Sequence, residues 1–333
     1  MERLVFDADT SILDRKVIAV IGYGNQGRAQ ARALRRFTRA RVIIGNIRDY
    51  AWERAVRDGF EVFSIREAAE QADIVAVLIP DEVAPQVFSR EIAPAIEGKE
   101  LVVVDFASGY NVAFGFIEPP PNADVVMVAP RMIGAGIEEL VSQGRGYPVL
   151  IGVAQDASGR AWDYAKALAK GIGALQPGGV AVVSSFEEEA LLDLFTEQFV
   201  APHIIAVVMT AFEVLTKEFG VSPEAAILEL YASSEWSRIF RDMAEMGFFE
   251  QLKLHSTTSQ YGQLTRAAKL LSDEGLRRRA REAARYIAEG WFAREWMLER
   301  ASGYPVFKSL WRRFRRSDLA RAEERLFRAL KRR

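Results

Sequence analysis

The sequence predicts an α/β chain: a doubly wound parallel sheet in the N-terminal half, followed by an all-helical half. Three observations carry that expectation. The first half holds continuous apolar runs, not alternating ones, as strands covered on both faces require. The first strong run, Lys16-Val-Ile-Ala-Val-Ile-Gly22-Tyr-Gly24-Asn-Gln-Gly27, ends in a glycine-spaced turn and passes directly into the helix-like Arg28-Ala-Gln-Ala-Arg-Ala-Leu34. Near residue 183 the pattern changes to long stretches of 3.6 periodicity.

The elements follow in order. Val42–Ile44 is a second buried strand, ended by Gly45-Asn46, and Ala51 to Asp58 is a short helix closed by Gly59. Ser64-Ile-Arg-Glu67 reads as a capping box opening a helix over Glu67–Ala72. Ile74–Ile79 is a third strand, stopped by Pro80, and Leu101–Val104, Val125–Val128, Val149–Val153 and Val180–Val183 follow. Beyond them Glu187 to Lys217, Pro223 to Glu245 and Asp273 to Arg300 each read as one or more helices. The expected domains are residues 1–182, binding a nucleotide, and 183–333, all-helical.

Strand, glycine turn and helix in that order are what a dinucleotide-binding βαβ unit of Rossmann type needs. Gly22 permits the tight turn, Gly24 lets backbone approach a pyrophosphate, and Gly27 lets the helix pack closely with its N–H groups aimed at the phosphates. With Tyr23, Asn25 and Gln26 they form the candidate site for a nicotinamide or flavin nucleotide. The bland alternative is a purely structural turn.

Composition narrows the class. A chain of 333 residues, 50% hydrophobic and 27% charged, is globular and long enough for two cores. A formal net charge of −1 gives no bulk attraction to nucleic acid or membrane. With no cysteine, disulfides, thiolate metal sites and a cysteine nucleophile are excluded. No signal peptide and no apolar run of transmembrane length is expected, which points to a soluble cytoplasmic protein. Trp236, Phe240, Phe248, Phe249, Trp291, Phe292 and Trp296 read as helix-packing core in preference to a ligand box. The basic stretch from Lys308 to Arg333 reads as a solvated amphipathic helix in preference to a nucleic-acid patch.

Asp193 and Glu197 stand four apart among apolar neighbours, so both carboxylates project from one helix face. Like charges at that spacing repel unless something positive lies between them, and Mg²⁺ is a candidate. A solvated acidic face is the alternative.

The chain resembles ketol-acid reductoisomerase across nearly its whole length. The matching stretches begin with Gly22-Tyr-Gly-Asn-Gln-Gly27, Leu78-Ile-Pro80-Asp81-Glu82, Phe106-Ala-Ser108-Gly-Tyr-Asn111 and Met127-Val-Ala-Pro130. They continue with Gly144-Arg-Gly146, Ala169-Lys-Gly-Ile-Gly173, Asp193-Leu-Phe-Thr-Glu-Gln198 and Ser256-Thr-Thr-Ser-Gln-Tyr-Gly262. The resemblance implies a short, class I chain with a knotted helical domain, in a dimer (or higher homo-oligomer) whose active site uses both subunits. In that family NAD(P)H delivers hydride to a 2-keto acid formed by a Mg²⁺-dependent alkyl shift. By position, Asp193 and Glu197 match metal carboxylates, Glu235 matches a third, and Ser256 matches a serine holding the substrate carboxylate.

Three departures weigh on the alkyl shift. Tyr231 stands where the family has a further metal-binding glutamate, and Glu229, two residues away, is rotated by about 200° on a helix. Ser108 replaces a histidine, and Pro130-Arg131-Met-Ile-Gly134 replaces Pro-Lys-Gly-Pro-Gly. Two metals would polarise carbonyl and hydroxyl together; hydride transfer needs only an oriented nicotinamide and an electrophile or proton donor, with Ser108 and Arg131 as candidates. His255 beside Ser256 is a further candidate against a packed or solvated histidine. In Asn46-Ile-Arg48-Asp49-Tyr50, Arg48 suits a 2′-phosphate and Asp49 a ribose hydroxyl, which leaves NADH and NADPH open with a slight preference for NADH. The expectation is an NAD(P)H-dependent reductase of a small 2-oxo acid, with isomerisation weakened or lost and at most one Mg²⁺, bound by Asp193 and Glu197. A true reductoisomerase and a non-catalytic nucleotide sensor are the alternatives.

Overall fold

Residues 3–332 are described by the structure, a computed structural model. Nine strands form one sheet: β1 (Leu4–Val5), β2 (Val17–Ile21), β3 (Arg41–Gly45), β4 (Glu61–Phe63), β5 (Ile74–Val77), β6 (Val102–Phe106), β7 (Ala123–Pro130), β8 (Pro148–Gln155) and β9 (Val180–Val183). Their order is β1-β9-β8-β7-β6-β5-β2-β3-β4. From β7 through β4 every neighbouring pair is parallel. The chain leaves β2 toward β3 on one side and returns to β5 on the other, so the strand order reverses at β2. In open α/β sheets a ligand binds in the crevice beyond the strand ends at such a reversal.

The doubly wound expectation holds over this part, with one correction. Residues 149–153 lie in β8, which runs antiparallel to β7 with a register shift between Val125 and Val126. A strand buried on both faces reads as the same apolar run in either direction, so sequence could not assign it. The short edge strands β1 and β4 were not anticipated.

Both faces of the sheet carry helices. Ile18, Val20, Ile44, Ile74 and Val126 belong to one buried cluster, and Ala19, Ile21, Ile43, Val75 and Val125 to the other. Alternate residues of one strand thus feed opposite cores, which explains the unbroken apolar runs. The Ser64–Glu67 capping box is present, but its helix is Ile65–Gln71. Ser64 is the cap itself, so the first turn begins one residue later and not at Glu67.

Contacts divide the chain into Met1–Asp193 and Leu194–Arg333. The division falls within a continuous helix, Phe186–Lys217, that contains a π-helical segment at Thr196–Val200. Pro202 lies just beyond and has no N–H for the α-helical ladder; a locally widened turn accommodates its ring. This helix corrects an expectation: it is long and apolar enough, by length and composition, to cross a membrane. Only 6% of its most apolar window is buried.

In the second unit, helices span Pro223–Ile227, Glu235–Met246, Thr257–Leu271, Glu274–Ala288, Trp291–Ala301, Pro305–Arg315 and Asp318–Ala329. Ser234 at φ 70° breaks the expected stretch Pro223–Glu245, and Gly290 at φ 77° breaks Asp273–Arg300. The buried cluster here is Phe212, Ala226, Ile227, Ala232 and Ala322. The aromatics expected as core are not in it: Trp236, Phe240, Phe248, Phe249 and Trp291 are all about half exposed or more.

Candidate active site

Four loops leave the carboxyl ends of the parallel strands β2, β5, β6 and β7, and they supply most of the predicted residues. In the first, Gly22 has φ +95°, and a side chain there would lie 2.7 Å from the Leu78 carbonyl oxygen. A Cβ on Gly27 would sit 1.9 Å from the Gly22 carbonyl oxygen, so the helix Asn25–Phe37 starts directly against the turn. A Cβ on Gly24 would meet nothing within 4 Å. That open side is where backbone can meet a phosphate. No side chain caps the helix, which leaves its N-terminal N–H groups for an anion.

The residues between the glycines do other work. Tyr23 is wholly buried, stacks edge-on with Phe60 and donates its hydroxyl to Asp58 Oδ2 at 2.8 Å. Burial, with the Asp58 carboxylate beside it, pushes its phenol pKa well up. Its side chain therefore belongs to the core and not to a cofactor surface. Gln26 donates to the Met132 carbonyl at 2.8 Å, tying the glycine turn to the loop after β7. Asn25 lies under that loop, its carbonyl oxygen 2.2 Å from where a Gly134 Cβ would be.

Beyond β3, Asn46 accepts the Tyr23 N–H at 3.2 Å and donates to Ile47 O and to Asp49 Oδ1. Asp49 Oδ1 also caps the helix Tyr50–Arg57 by accepting from Ala51 and Trp52. Both side chains, expected to face the nucleotide, are engaged in holding this loop. Arg48 is exposed over the Trp52 ring and lines a cleft of about 240 Å³ with Asn46, Trp52, Ser64, Glu67 and Glu91.

After β5, Pro80 starts a turn by accepting from Val83 and Ala84, and Asp81 accepts from Asn111 Nδ2 at 3.1 Å. After β6, Ser108 Oγ accepts the Tyr110 N–H, which leaves its own O–H to be donated. The Tyr110 hydroxyl and Asn111 Oδ1 are buried without a partner. Burial raises the Tyr110 pKa to about 12.

A polar grouping around Arg131 was not foreseen as such. Arg131, just past β7, contacts Asp193 Oδ1 at 3.1 Å and Glu189 Oε1 at 2.5 Å. Glu189 is 1% exposed, and its second oxygen accepts the Gly109 N–H at 2.6 Å. Burial raises the Glu189 pKa, against the pull of the Gly109 N–H and Arg131. Arg131 and Asp193 were candidates; Glu189 was missed. Its only sequence signal was its place one turn before Asp193.

The remaining candidates lie on Leu194–Arg333. Glu197 is exposed within the π-helical segment. Glu235 is exposed at the start of the helix Glu235–Met246. Ser256 caps the helix Thr257–Leu271 by accepting from Ser259 at 3.2 Å. His255 is half-buried, its ring against Gln251.

Residues 12–178 match the family described as acetohydroxy acid isomeroreductase, NADPH-binding domain, and residues 186–332 match the ketol-acid reductoisomerase C-terminal domain. The chain belongs to the ketol-acid reductoisomerase family. It is 54% identical over 332 residues to a Saccharolobus solfataricus protein provisionally named ketol-acid reductoisomerase 3, covering 100% of this chain and 99% of that one. A ketol-acid reductoisomerase (NADP(+)) of Pyrobaculum arsenaticum is 43% identical, with 93% of each chain covered. Among solved structures, an NADH-preferring ketol-acid reductoisomerase from an uncultured archaeon superposes with a TM-score of 0.89 at 33% identity, over 98% of this chain and 99% of that one. The chain is thus an NAD(P)-dependent oxidoreductase of this family, which sets the sensor alternative aside.

The departures from the family pattern now have positions. Tyr231 is half-buried and donates its hydroxyl to Glu323 Oε2 at 2.6 Å, serving the packing of its own unit. Ser108 lies in the β6 loop, and Arg131 is paired with acids. No three His, Asp or Glu side chains among the described residues gather into a group that could hold a metal ion. Since Asp193 is already engaged by a guanidinium, the donors of one chain do not fit a resident two-metal centre.

Proposed function

We propose that this family member is an NAD(P)H-dependent reductase of a small 2-oxo acid in which the alkyl-shift step is weakened or lost. The pairing of Arg131 with Asp193 is the observation that carries it. An alkyl shift that develops charge on two oxygens at once needs closely placed cations with their carboxylates free. Hydride transfer develops charge on one oxygen, which fixed donors can stabilise. The glycine turn would hold the pyrophosphate, and Arg131 and the Ser108 hydroxyl would face the carbonyl oxygen as charge and proton-side donors. Ser256 would take the substrate carboxylate. Asp193 and Glu197 would hold at most one Mg²⁺, weakly.

The exposed apolar helix Phe186–Lys217 supports a homodimer, or a higher homo-oligomer, over a membrane or nucleic-acid partner; the knotted path and a cytoplasmic location belong to the same reading. Either nicotinamide nucleotide suits the site. Arg48, exposed beyond β3, supports NADPH as a cation for a 2′-phosphate, while the structural relative's NADH preference supports the other form.

Survival of Asp193, Glu197, Glu235 and Ser256 favours a second reading, a complete reductoisomerase. The deciding measurement is NAD(P)H consumption with 2-acetolactate and with 2-oxo acids, each with both nucleotides. Turnover of 2-oxo acids with little or none of 2-acetolactate is the expected result; full turnover of 2-acetolactate would overturn it.

A further inference from the structure

Two carboxylates one turn apart, Asp193 and Glu197, need positive charge nearby. The chain supplies some itself. Arg131 reaches Asp193 Oδ1 from the β7 loop, and its other nitrogen is held by Glu189. Glu189 is almost wholly buried, and its far oxygen is fixed by the Gly109 N–H. Withdrawing a guanidinium from a buried carboxylate leaves an uncompensated charge, so Arg131 is anchored on that side. Asp193, by contrast, has 49% of its side chain exposed and is the end where another cation could arrive.

We propose that Arg131 is the built-in cation of this site: anchored by Glu189, it neutralises Asp193 and suppresses divalent-ion binding there. An incoming Mg²⁺ must either displace the hydrogen-bonded guanidinium from Asp193 Oδ1 or bind the carboxylate within a few ångströms of its charge. Glu189 is the positioning residue, because it fixes both Arg131 and the backbone of the Gly109 turn next to Ser108. The inference deepens the proposed weakening of the metal-dependent step and rests on that reading for its catalytic consequence alone.

Mg²⁺ titrated calorimetrically into the full-length protein without substrate tests it. Arg131→Met keeps the apolar stem and removes the charge, and it is expected to raise Mg²⁺ affinity by about tenfold or more. Arg131→Lys keeps a cation for Glu189 but loses the fork that also reaches Asp193, so a rise of about threefold is expected. It also serves if the methionine variant fails to fold. Adding Asp193→Asn to either variant should abolish the gain. Unchanged affinity in both variants, a gain that survives Asp193→Asn, or tight binding of two ions by the unmodified protein would each overturn the proposal. Turnover of 2-acetolactate reports on the functional reading and metal affinity on this one, so either can fail alone.

Discussion

Gly22, Gly24 and Gly27 occupy one turn for three separable reasons. Gly22 needs a left-handed backbone, Gly27 needs absence of a Cβ against the Gly22 carbonyl, and Gly24 needs neither for folding. Gly24 has an ordinary φ of −75° and open space beside it. Gly24→Ala should therefore leave stability within about 0.5 kcal/mol, yet weaken nucleotide binding roughly tenfold by blocking close backbone approach. Gly27→Ala should cost about 2–3 kcal/mol by overpacking against backbone. Thermal melts and NAD(P)H fluorescence titration of both variants separate the effects. Unchanged nucleotide affinity in Gly24→Ala would remove this turn from the cofactor site.

At the scale of elements, the helix after the glycine turn is locked to its neighbour through Asp58. That carboxylate accepts from Arg28 Nε at 2.7 Å and from the Tyr23 hydroxyl at 2.8 Å. The Arg28 hydrogen bond, with Tyr23 adding to it, lowers the Asp58 pKa from its usual 3.8. A carboxylate depressed in the folded state stabilises fully above its unfolded pKa, and that contribution fades as pH falls through the folded value. Asp58→Asn should cost about 1–2 kcal/mol at neutral pH, with the gap from the unmodified protein closing as the pH drops below 4. Urea unfolding at pH 7 and pH 3 checks it; an equal gap at both would refute the charge argument. Elements of this kind were legible wherever a local rule applied. The strand–turn–helix unit follows from residue types alone, and Ser64 with Glu67 announced its own cap. What local rules could not supply was partnership across the chain. The antiparallel direction of β8, the core role of Tyr23 and the buried role of Glu189 each depend on a residue distant in sequence. Arg131 and Asp193 were both identified as candidates, but their pairing spans 62 positions and no periodicity encodes it.

On the scale of the whole molecule, the second unit is short of a core. Its buried cluster is small, while Ile204, Ile205 and Val207 on the helix Phe186–Lys217 are exposed, as are Phe307, Trp311 and Phe314. Ile204, Ile205, Val208 and Met209 line an apolar cavity of about 850 Å³ with Trp311 and Phe314. Surface of this extent marks an interaction site in a folded protein. The homodimer proposed above would cover it, since burying each such aliphatic side chain is worth about 1.5–3 kcal/mol. Val207, 66% exposed, is the place to test this, because a glutamate there is a good helix former and disturbs no buried contact. Val207→Glu should shift the protein from dimer to monomer in sedimentation velocity at micromolar concentration. Its Met1–Asp193 unit should still bind NAD(P)H with unchanged affinity, because the glycine turn lies wholly within it. Reductase activity should fall with the dimer if the second subunit completes the site. A Val207→Glu protein that sediments as the unmodified one does would rule out this helix as the interface.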